Sequence, residues 1–359
     1  MRKILLLLVI LAFAFAFASC GGGEVPEQPE IPDDPGTTET PDEPETPACK
    51  HDYVEIARTE AMPLADGVVI SECTLCKEQK SDVHPPMTRK LKILAIGNSH
   101  SENAVQDLWN VCSSAGVTNL VIGNAVIGGS GLDDHAAAIL YGNSSYIYRK
   151  FTGDEKKNVS VENVKIDRAL LDEEWDYVII QQRSQYVEDA RFTLLDKVIE
   201  IINKKCPKAE IYWHITWSYE NIEAFGSQSI KNEFINKFGG DSKVMCEAIL
   251  ASVEKHIVPN ESITGIIPAG TALQNLRTSY VGETLTRDGV HTKAGMARFT
   301  VALTWYAYLT GGALDKVTWL PTSADQSNEI SSNYDVIYES VENALENPYK
   351  ITQSKNLEK

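Results

Sequence analysis

The sequence predicts an α/β protein, a three-layer αβα sandwich with a mostly parallel sheet, preceded by a small module that contains cysteine and histidine. Short apolar runs alternate with amphipathic stretches from Leu91 onward, and this alternation is typical of parallel sheets covered on both faces. Polar clusters follow the apolar runs, as expected where reactive groups gather at the carboxyl ends of strands. With 359 residues, of which 43% are hydrophobic and 23% charged, the chain can bury a substantial core.

Residues 1–19 are predicted to form a secretory signal peptide. Two basic residues precede an unbroken apolar run over residues 4–18, which is too short for a membrane-spanning helix and typical of a signal sequence. The residues that end at Cys20 resemble a bacterial lipobox, with Phe17 in place of the usual aliphatic residue. This resemblance implies cleavage before Cys20, lipidation of its thiol and attachment to a bacterial membrane outside the cytoplasm. Plain secretion is the alternative.

Residues 20–48 are predicted to form an extended acidic tether, and the charge of the whole chain limits its partners. The tether consists mostly of Gly, Pro, Glu, Asp and Thr, which cannot bury enough apolar surface to offset the ordering entropy. The chain carries 33 Lys+Arg against 50 Asp+Glu, a net charge of −17, with no basic run. Since nonspecific nucleic-acid binding needs clustered positive charge, the sequence excludes nucleic acid as a partner.

Four potential metal ligands lie within residues 49–86, which we predict to form a zinc-ribbon-like module. Cys49 and His51 form one close pair, and Cys73 and Cys76 form a second. Two such pairs suit a closed tetrahedral zinc site with a structural role, because no position is left open for a substrate. The segment resembles short zinc-ribbon-type modules of bacterial envelope proteins. Disulfides are the alternative, because compartments outside the cytoplasm are oxidising.

The strand and helix patterns of the sandwich lie in residues 91–315. The apolar runs predict buried strands over residues 91–96, 119–122, 177–180, 210–215 and 265–267. The amphipathic stretches predict helices over residues 103–115, 189–203, 241–256 and 292–309, with Thr292 as the N-cap of the last. Residues 316–359 are predicted to form a C-terminal extension with one helix over residues 323–347 and a fraying polar tail.

Two polar motifs in this domain contain the residue types of a serine nucleophile site. Gly97-Asn98-Ser99 follows the first strand directly, where a serine can be exposed at a helix N-terminus. Asp288 and His291 lie three residues apart before a predicted helix, so the carboxylate can fix the imidazole tautomer and leave the other nitrogen as a base. Taken separately, the first motif is also a common turn, and the second is also a capping aspartate beside a histidine.

Together these motifs resemble the SGNH (GDSL-type) hydrolase superfamily, in which Gly-Asp-Ser follows the first strand and Asp-x-x-His lies near the end. Ser99, Asp288 and His291 occupy these places in the same chain order. Gly129 matches the second block of the superfamily, whose glycine donates a backbone N–H to the oxyanion. The wider pattern of residues 91–315 looks like the domain of unknown function 4886 family within that superfamily, and it implies an SGNH/flavodoxin-like sheet.

The sequence departs from the superfamily pattern in two places. Asn98 stands where an aspartate usually precedes the serine, and the usual Gly-x-Asn-Asp of the third block is absent. Gln181 and Gln182 end the corresponding strand. Because a glutamine amide can donate as an asparagine amide does, we predict Gln181, or alternatively Gln182, as the third oxyanion donor. The alternative role for both is to satisfy backbone groups at the strand end.

The resemblance implies an ester hydrolase that forms an acyl-enzyme and needs no cofactor for catalysis. Ser99 would be the nucleophile, His291 the base and Asp288 the group that orients the imidazole. The implied substrate is an acylated small molecule or glycan outside the cytoplasm, for example one with an O-acetyl group.

Two further expectations concern substrate binding and activity. Trp213, Trp217 and Tyr219 lie in and just past a predicted strand, where they could form a sugar-stacking wall or belong to the core. The departures at Asn98 and Gln181 favour a rival function, a catalytically inactive glycan-binding or scaffolding lipoprotein.

Overall fold

The computed structural model describes residues 49–152 and 157–359. The predicted signal peptide (residues 1–19), the lipidation site Cys20 and the tether over residues 20–48 lie outside these described residues. In the described part of the chain, no helix is both long enough and apolar enough to cross a membrane.

The ten strands of the described residues form two separate sheets. They are β1 Tyr53–Thr59, β2 Gly67–Cys73, β3 Gln79–His84, β4 Leu91–Gly97, β5 Leu120–Val126, β6 Tyr146–Thr152, β7 Lys157–Val164, β8 Tyr177–Ile180, β9 Glu210–His214 and β10 Ile263–Ile267.

Eleven α-helices connect and cover the strands in the same part of the chain. They are α1 Ser99–Gln106, α2 Leu108–Ser114, α3 Leu132–Leu140, α4 Asp167–Leu170, α5 Leu195–Lys205, α6 Gln228–Phe238, α7 Ser242–His256, α8 Ala269–Arg277, α9 Met296–Thr310, α10 Ala324–Ser331 and α11 Tyr334–Glu346.

The first three strands form a small antiparallel sheet in the order β1-β2-β3. Along β2 the side chains alternate between buried and half-buried positions, and Val69 and Cys73 lie on the buried face. The small sheet contacts the rest of the protein through the loop after β1, where the backbone N–H of Leu64 donates to the carbonyl of Thr310 at 2.9 Å. The module therefore packs on the carboxyl end of α9.

The large sheet has seven strands in the order β10-β9-β8-β4-β5-β6-β7. The first five of this order run parallel, and β6 and β7 are antiparallel additions at one edge. Strand β4 lies in the middle, between β8 and β5. Because the carboxyl ends of parallel strands meet at one edge, the segments after these three strands are neighbours.

Both faces of the large sheet are covered, since successive residues of β4 belong to different core clusters. Ile93 and Ala95 pack with α1, α2, α8, α9 and α11, whereas Leu94 and Ile96 pack with α3, α5 and α7. This alternation is what a central strand buried on both faces requires. The predicted fold class, a three-layer sandwich with a mostly parallel sheet and a preceding Cys/His module, is confirmed.

The hairpin of β6 and β7 was not predicted from the sequence. Only Tyr146 and Tyr148 of β6 are buried, and its other side chains are half-buried. An edge strand of this kind has no continuous apolar run, so its pairing with β5 depends on the tertiary structure.

Four predicted helices differ from the observed ones. The helix expected over residues 189–203 is a short 3₁₀ helix, Asp189–Phe192, followed by α5, which begins at Leu195. The helix expected over residues 103–115 is two helices that begin at Ser99 and Leu108, and the one expected over residues 323–347 is divided into α10 and α11. The helix expected to begin after Thr292 begins only at Met296, and the Thr292 hydroxyl donates instead to the side chain of Asn103 at 3.1 Å.

The C-terminal tail is docked, so the expectation that it frays is wrong. The side chain of Ser354 is buried, and the carbonyl of Asn356 accepts the backbone N–H of Tyr280 at 3.0 Å. The carboxylate of Glu339 accepts the backbone N–H of Lys355 and the amide of Asn356, both at 2.9 Å. Polar residues can be fixed in this way when neighbouring helices offer partners.

Candidate active site

Ser99 lies at the junction of the central strand and the first helix. Strand β4 ends at Gly97, and Asn98 caps α1 by accepting the backbone N–H of His100 on its side-chain oxygen at 2.9 Å. An N-cap of this kind satisfies one of the free donors at the start of a helix. The cap places Ser99 as the first helical residue, half-buried at the carboxyl edge of the sheet.

The structure brings Ser99, His291 and Asp288 together although 192 residues separate the first two. The Oγ of Ser99 lies 2.8 Å from Nε2 of His291, and Nδ1 of His291 lies 2.7 Å from Oδ2 of Asp288. The His291 and Asp288 side chains are 26% and 27% exposed. A carboxylate on one imidazole nitrogen and a hydroxyl on the other is the hydrogen-bonding pattern of a serine nucleophile with its base.

Asp288 is ionised in this arrangement. Burial raises the pKa of Asp288, but the hydrogen bonds from the backbone and ring of His291 outweigh it and keep the pKa below its ordinary value. Oδ1 accepts the backbone N–H groups of Val290 at 3.1 Å and His291 at 2.8 Å. Because both its oxygens are engaged, the carboxylate cannot rotate away from the imidazole.

The segment that contains Asp288 and His291 is held by a buried ion pair. Glu220 is fully buried and accepts the backbone N–H groups of Leu285 at 2.8 Å and Thr286 at 2.7 Å. Arg277 donates to the same carboxylate at 3.2 Å. Buried charges need such partners, and the pairing anchors the segment to the loop after β9.

Gly129 lies in the loop after β5, and the residues on either side of it are hydrogen-bonded to the two residues before Ser99. The backbone N–H of Ile127 donates to the carbonyl of Gly97 at 3.0 Å, and the side-chain amide of Asn98 donates to the carbonyl of Ser130 at 2.8 Å. Gly129 adopts a φ of 66°, a left-handed conformation that favours glycine. Among the described residues, the backbone N–H groups of Ser99 and Gly129 have no hydrogen-bond partner, as donors reserved for an oxyanion require.

The two glutamines predicted as the third oxyanion donor are both engaged elsewhere, which corrects that prediction. Gln181 donates its amide to Oδ1 of Asn98 at 2.8 Å. Gln182 donates to the carbonyl of Arg191 at 2.8 Å and accepts the backbone N–H of Leu132 at 3.0 Å. Each amide donates an N–H to a protein acceptor, and the two side chains are only 2% and 5% exposed. Both glutamines are therefore held within the protein and do not face a substrate.

The three aromatic residues considered as a sugar-stacking wall belong to the core. Trp213, Trp217 and Tyr219 are each at most 2% exposed. Trp217 donates its indole N–H to the carbonyl of Val290 at 2.8 Å, so it supports the segment of His291. The prediction of a stacking surface is wrong, because these rings face the sheet and not the solvent.

His100 and Ser184 are buried polar residues behind the triad that the sequence analysis missed. Nε2 of His100 lies 3.3 Å from the hydroxyl of Ser184, and its ring lies 4.4 Å from that of Trp217 and 6.2 Å from that of His291. Burial, followed by the charge of His291, lowers the pKa of His100 well below its ordinary value. The sequence did contain one indication of this buried pair, a histidine directly after the candidate nucleophile Ser99.

The four cysteine and histidine side chains of the small module could hold a metal ion. The ligand atoms of Cys49, His51, Cys73 and Cys76 all lie within 4.8 Å of one another. The sulfurs of Cys49 and Cys73 are 3.8 Å apart, about the separation of two thiolates around a tetrahedral zinc ion. The three cysteines of this cluster are not bonded to one another.

Groups around the cluster also suit a metal site. The backbone N–H groups of Cys76 and Leu75 lower the pKa of Cys73 to about 6, which favours the thiolate that binds metal, whereas the side-chain hydrogen bond with Cys76 and burial raise the pKa of Cys49 to about 12. Nδ1 of His51 lies 3.4 Å from the sulfur of Cys76, and its other nitrogen lies 3.4 Å from a carboxylate oxygen of Glu78. A carboxylate on the second nitrogen is the usual support of a metal-binding histidine.

Comparisons with known proteins place the chain in a family. The family described as "Domain of unknown function (DUF4886)" matches residues 92–339. The crystal structure of a DUF4886 family protein from Bacteroides uniformis is 30% identical, with a TM-score of 0.65, and the match covers 75% of this chain and 100% of that one. None of the curated proteins matches significantly.

Two solved structures named as lipases are more distant. A protein from Parabacteroides merdae, assigned as a GDSL-like lipase, is 11% identical, with a TM-score of 0.39 over 63% of this chain and 97% of that one. An extracellular lipase from Streptomyces rimosus is also 11% identical, with a TM-score of 0.31 over the same shares. The family match spans more than half of the chain, and the Bacteroides uniformis structure agrees with it over that protein's whole length. The chain therefore belongs to the DUF4886 family.

Proposed function

We propose that the protein is an extracytoplasmic serine hydrolase that cleaves ester bonds through an acyl-enzyme. The observation that carries the proposal is the 2.8 Å contact between Ser99 Oγ and His291 Nε2, with Asp288 at 2.7 Å on the other imidazole nitrogen. Hydroxyl, imidazole and carboxylate in this order can activate the serine, because the imidazole accepts the proton as the hydroxyl attacks.

In the acylation step, Ser99 Oγ forms a bond to the acyl carbon while its proton passes to Nε2 of His291. The carbonyl oxygen becomes an oxyanion, and we assign the backbone N–H groups of Ser99 and Gly129 as its hydrogen-bond donors. When the ester C–O bond breaks, the imidazolium returns the proton to the leaving alcohol. Asp288 stabilises the imidazolium, because its carboxylate stays ionised throughout.

In the deacylation step, water attacks the acyl-serine and gives a proton to His291. The bond between the acyl carbon and Ser99 breaks, the proton passes from His291 to the serine oxygen, and the free carboxylic acid leaves. Each oxyanion donor contributes about 3 kcal/mol of transition-state stabilisation in enzymes of this type. Two backbone donors therefore support turnover without an amide from Gln181.

The proposed substrate is an acyl ester on a glycan, with an O-acetyl group as the first candidate. The resemblance to SGNH hydrolases motivates this class of substrate. Gly128 and Gly129 are exposed beside Ser99, and the lack of side chains there suits an acetyl group presented from a large molecule. The buried aromatic residues Trp213, Trp217 and Tyr219 contribute no stacking surface. We therefore propose that exposed residues around Ser99 recognise the sugar.

Hydrolysis of 4-nitrophenyl acetate by the full-length protein tests the enzymatic function. We expect turnover by the wild type, no turnover above background by Ser99→Ala, and wild-type turnover by the control Ser331→Ala, whose hydroxyl is exposed on α10. A serine-directed phosphonate should add its mass to the peptide that contains Ser99, and His291→Ala should abolish the adduct. Equal rates for wild type and Ser99→Ala would contradict the proposal and favour a non-catalytic glycan-binding protein.

We also propose that zinc occupies the Cys49, His51, Cys73 and Cys76 cluster and stabilises the small module. A closed set of four protein ligands gives the ion a structural role, with no part in ester hydrolysis. Elemental analysis of the full-length protein should show about one zinc per chain. Cys76→Ser should lose it, and Cys206→Ser, a core cysteine, should retain it. Intact disulfides without metal would contradict the assignment.

Attachment to the outside of a bacterial membrane through lipidated Cys20 completes the proposal. Residues 1–19 and the acidic segment after Cys20 motivate it, because together they form a signal followed by a spacer. Cys20→Ala should move the protein from the membrane fraction to the soluble fraction. A control substitution at Cys112, a core cysteine, should leave it in the membrane fraction.

A further inference from the structure

Three buried side chains outside the triad form a hydrogen-bonded series behind Ser99. Asn98, Gln181 and His214 are each at most 2% exposed. Gln181 lies between the other two, with its amide nitrogen 2.8 Å from Oδ1 of Asn98 and its oxygen 3.2 Å from Nδ1 of His214. The series links the ends of three adjacent strands, β4, β8 and β9.

The backbone determines the orientation of the Asn98 amide. Oδ1 faces the backbone N–H of His100 at 2.9 Å, which can only donate. Nδ2 faces the backbone carbonyl of Ser130 at 2.8 Å, which can only accept. Reversing the amide would place like groups against each other at both ends, so only one orientation satisfies both contacts.

The orientation of Asn98 determines that of Gln181. Because Oδ1 of Asn98 is an acceptor, Gln181 must present its NH₂ group to it. The oxygen of Gln181 then faces Nδ1 of His214. A carbonyl oxygen can only accept, so His214 must carry its proton on Nδ1.

The surroundings of His214 agree with a neutral ring that has this proton position. Burial lowers the pKa of His214 to about 3, so the ring is neutral. Its Nε2 is buried and has no hydrogen-bond partner among the described residues. The rings of Trp305 and Trp217 lie 5.0 and 6.0 Å from the imidazole. With the proton on Nδ1, the N–H of the ring is paired with the Gln181 oxygen, whereas a proton on Nε2 would leave a buried donor without an acceptor.

We propose that His214, Gln181 and Asn98 form a directional chain of hydrogen bonds that positions the Gly128–Ser130 loop beside Ser99. The inference rests on the proposed hydrolase function. His214 donates to Gln181, Gln181 to Asn98, and Asn98 to the carbonyl of Ser130. The last bond holds the loop whose Gly129 N–H faces the oxyanion.

This chain also explains why asparagine stands before the serine. An aspartate at position 98 could accept from His100 and Gln181, but it has no N–H to donate to the carbonyl of Ser130. Two oxygens would then face each other in a buried place, which is unfavourable. Asn98, Gln181 and His214 are positioning residues, because none of them touches the reacting atoms.

The orientation of the Asn98 amide also determines the proton position of His100. Nδ1 of His100 lies 3.2 Å from the acceptor Oδ1 of Asn98, so it carries the proton. The hydroxyl of Ser184, 3.3 Å from Nε2, then donates to the bare nitrogen. Both histidines are therefore expected as the Nδ1–H tautomer, and free histidine favours the other form.

Nitrogen NMR of the full-length protein with ¹⁵N-labelled histidine tests the chain without any substrate. We expect the His214 and His100 rings to show a protonated Nδ1 and an unprotonated Nε2 at neutral pH, with the His214 signals assigned by their loss in His214→Gln. An Nε2–H tautomer for His214 would reverse the required amide orientations and overturn the proposal.

Kinetics test the positioning role. Gln181→Met removes the amide but retains the length of the side chain, and we expect kcat to fall about 10- to 100-fold with KM within about twofold of wild type. His214→Gln, which keeps a donor, should retain more activity than His214→Phe. Asn275→Leu is the matched control, since Asn275 is an equally buried amide that joins α8 to α11 and to the C-terminal tail.

The amide signals of Gly128 and Gly129 separate the two proposals. They should shift or broaden in Gln181→Met and stay unchanged in Asn275→Leu, whether or not the protein hydrolyses esters. Suppose that the wild type lacks esterase activity, but His214 and His100 are the Nδ1–H tautomers and Gln181→Met shifts the glycine signals. This result would contradict the hydrolase function and support the chain of hydrogen bonds. Wild-type kcat and unchanged glycine signals in Gln181→Met would contradict the chain of hydrogen bonds and leave the hydrolase function intact.

Discussion

At the scale of single residues, Asp288 controls the orientation of the base. One of its oxygens accepts two backbone N–H groups, and the other faces Nδ1 of His291. The carboxylate therefore selects the imidazole tautomer that leaves Nε2 bare toward Ser99. The same carboxylate is the natural partner of the imidazolium that forms when the serine attacks.

We predict that Asp288→Asn lowers kcat for ester hydrolysis by at least about 100-fold. An asparagine amide can keep the backbone contacts, but it can present N–H to the imidazole and favour the wrong tautomer. Initial rates over a range of substrate concentrations check this. Asp315→Asn is the control, because Asp315 is exposed and pairs with the neighbouring Lys316 at the protein surface. Wild-type kcat in Asp288→Asn would mean that another group orients the base.

At the scale of elements, the end of β4 depends on close packing. A Cβ at Gly97 would lie 2.7 Å from the side-chain Cδ of Gln181. The strand can thus approach the Gln181 amide only because residue 97 has no side chain. Glycine before the candidate serine is required by a neighbour on β8, not by a positive φ.

We predict that Gly97→Ala destabilises the protein by about 1–3 kcal/mol and lowers kcat, because Gln181 must move away from Asn98. Urea unfolding and esterase rates measure the two effects. Gly128→Ala is the stability control, since a Cβ there has nothing within 4 Å. Equal stability of Gly97→Ala and wild type would show that the Gln181 side chain adapts at no cost.

The segment before α9 depends in the same way on the ion pair of Glu220 and Arg277. We predict that Glu220→Gln costs about 3 kcal/mol of unfolding free energy, because the buried guanidinium of Arg277 loses its buried charge partner and keeps only the more distant, half-exposed Glu283 among the described residues. Amide exchange in residues 285–291 should speed up, and kcat should fall. Glu283→Gln, which removes a half-exposed carboxylate 3.7 Å from Arg277, should change exchange much less.

At the scale of the whole molecule, three buried histidines make stability depend on pH. Burial lowers the pKa of His135 to about 4 and that of His214 to about 3, and it lowers the pKa of His100 as well. Below the ordinary value of 6.5, the unfolded chain takes up protons that the folded protein does not. Stability is therefore complete above about pH 6.5 and is lost as the pH falls toward the folded values.

We predict that the unfolding free energy falls between pH 6.5 and 4 by about 1.4 kcal/mol per pH unit for each of these histidines. Urea unfolding at a series of pH values measures the slope. His135→Phe should reduce the slope by about 1.4 kcal/mol per pH unit, the contribution of one proton. His84→Phe, at an exposed position, should leave the slope unchanged. A slope independent of His135 would mean that this ring is protonated in the folded state.

The sequence alone was sufficient for features that depend on local pattern. Apolar runs of three to six residues gave the positions of all five parallel strands, and the two pairs of ligands in residues 49–86 indicated the cluster that the structure assembles. Such features depend on periodicity and on residues close in sequence. The prediction that Ser99 and His291 meet came from the resemblance of their motifs and chain order to the SGNH superfamily, since each motif by itself had a common structural alternative.

Only the tertiary structure decided what each polar side chain does at the meeting point of the strands. The Gln181 amide is directed at Asn98 and not at a substrate, and Trp217 supports a loop rather than lining a groove. The β6–β7 hairpin and the docked tail also depend on neighbours far away in the chain. A donor or an aromatic ring takes the partner that lies nearest in space once the sheet is assembled, and the linear order of residues does not contain that information.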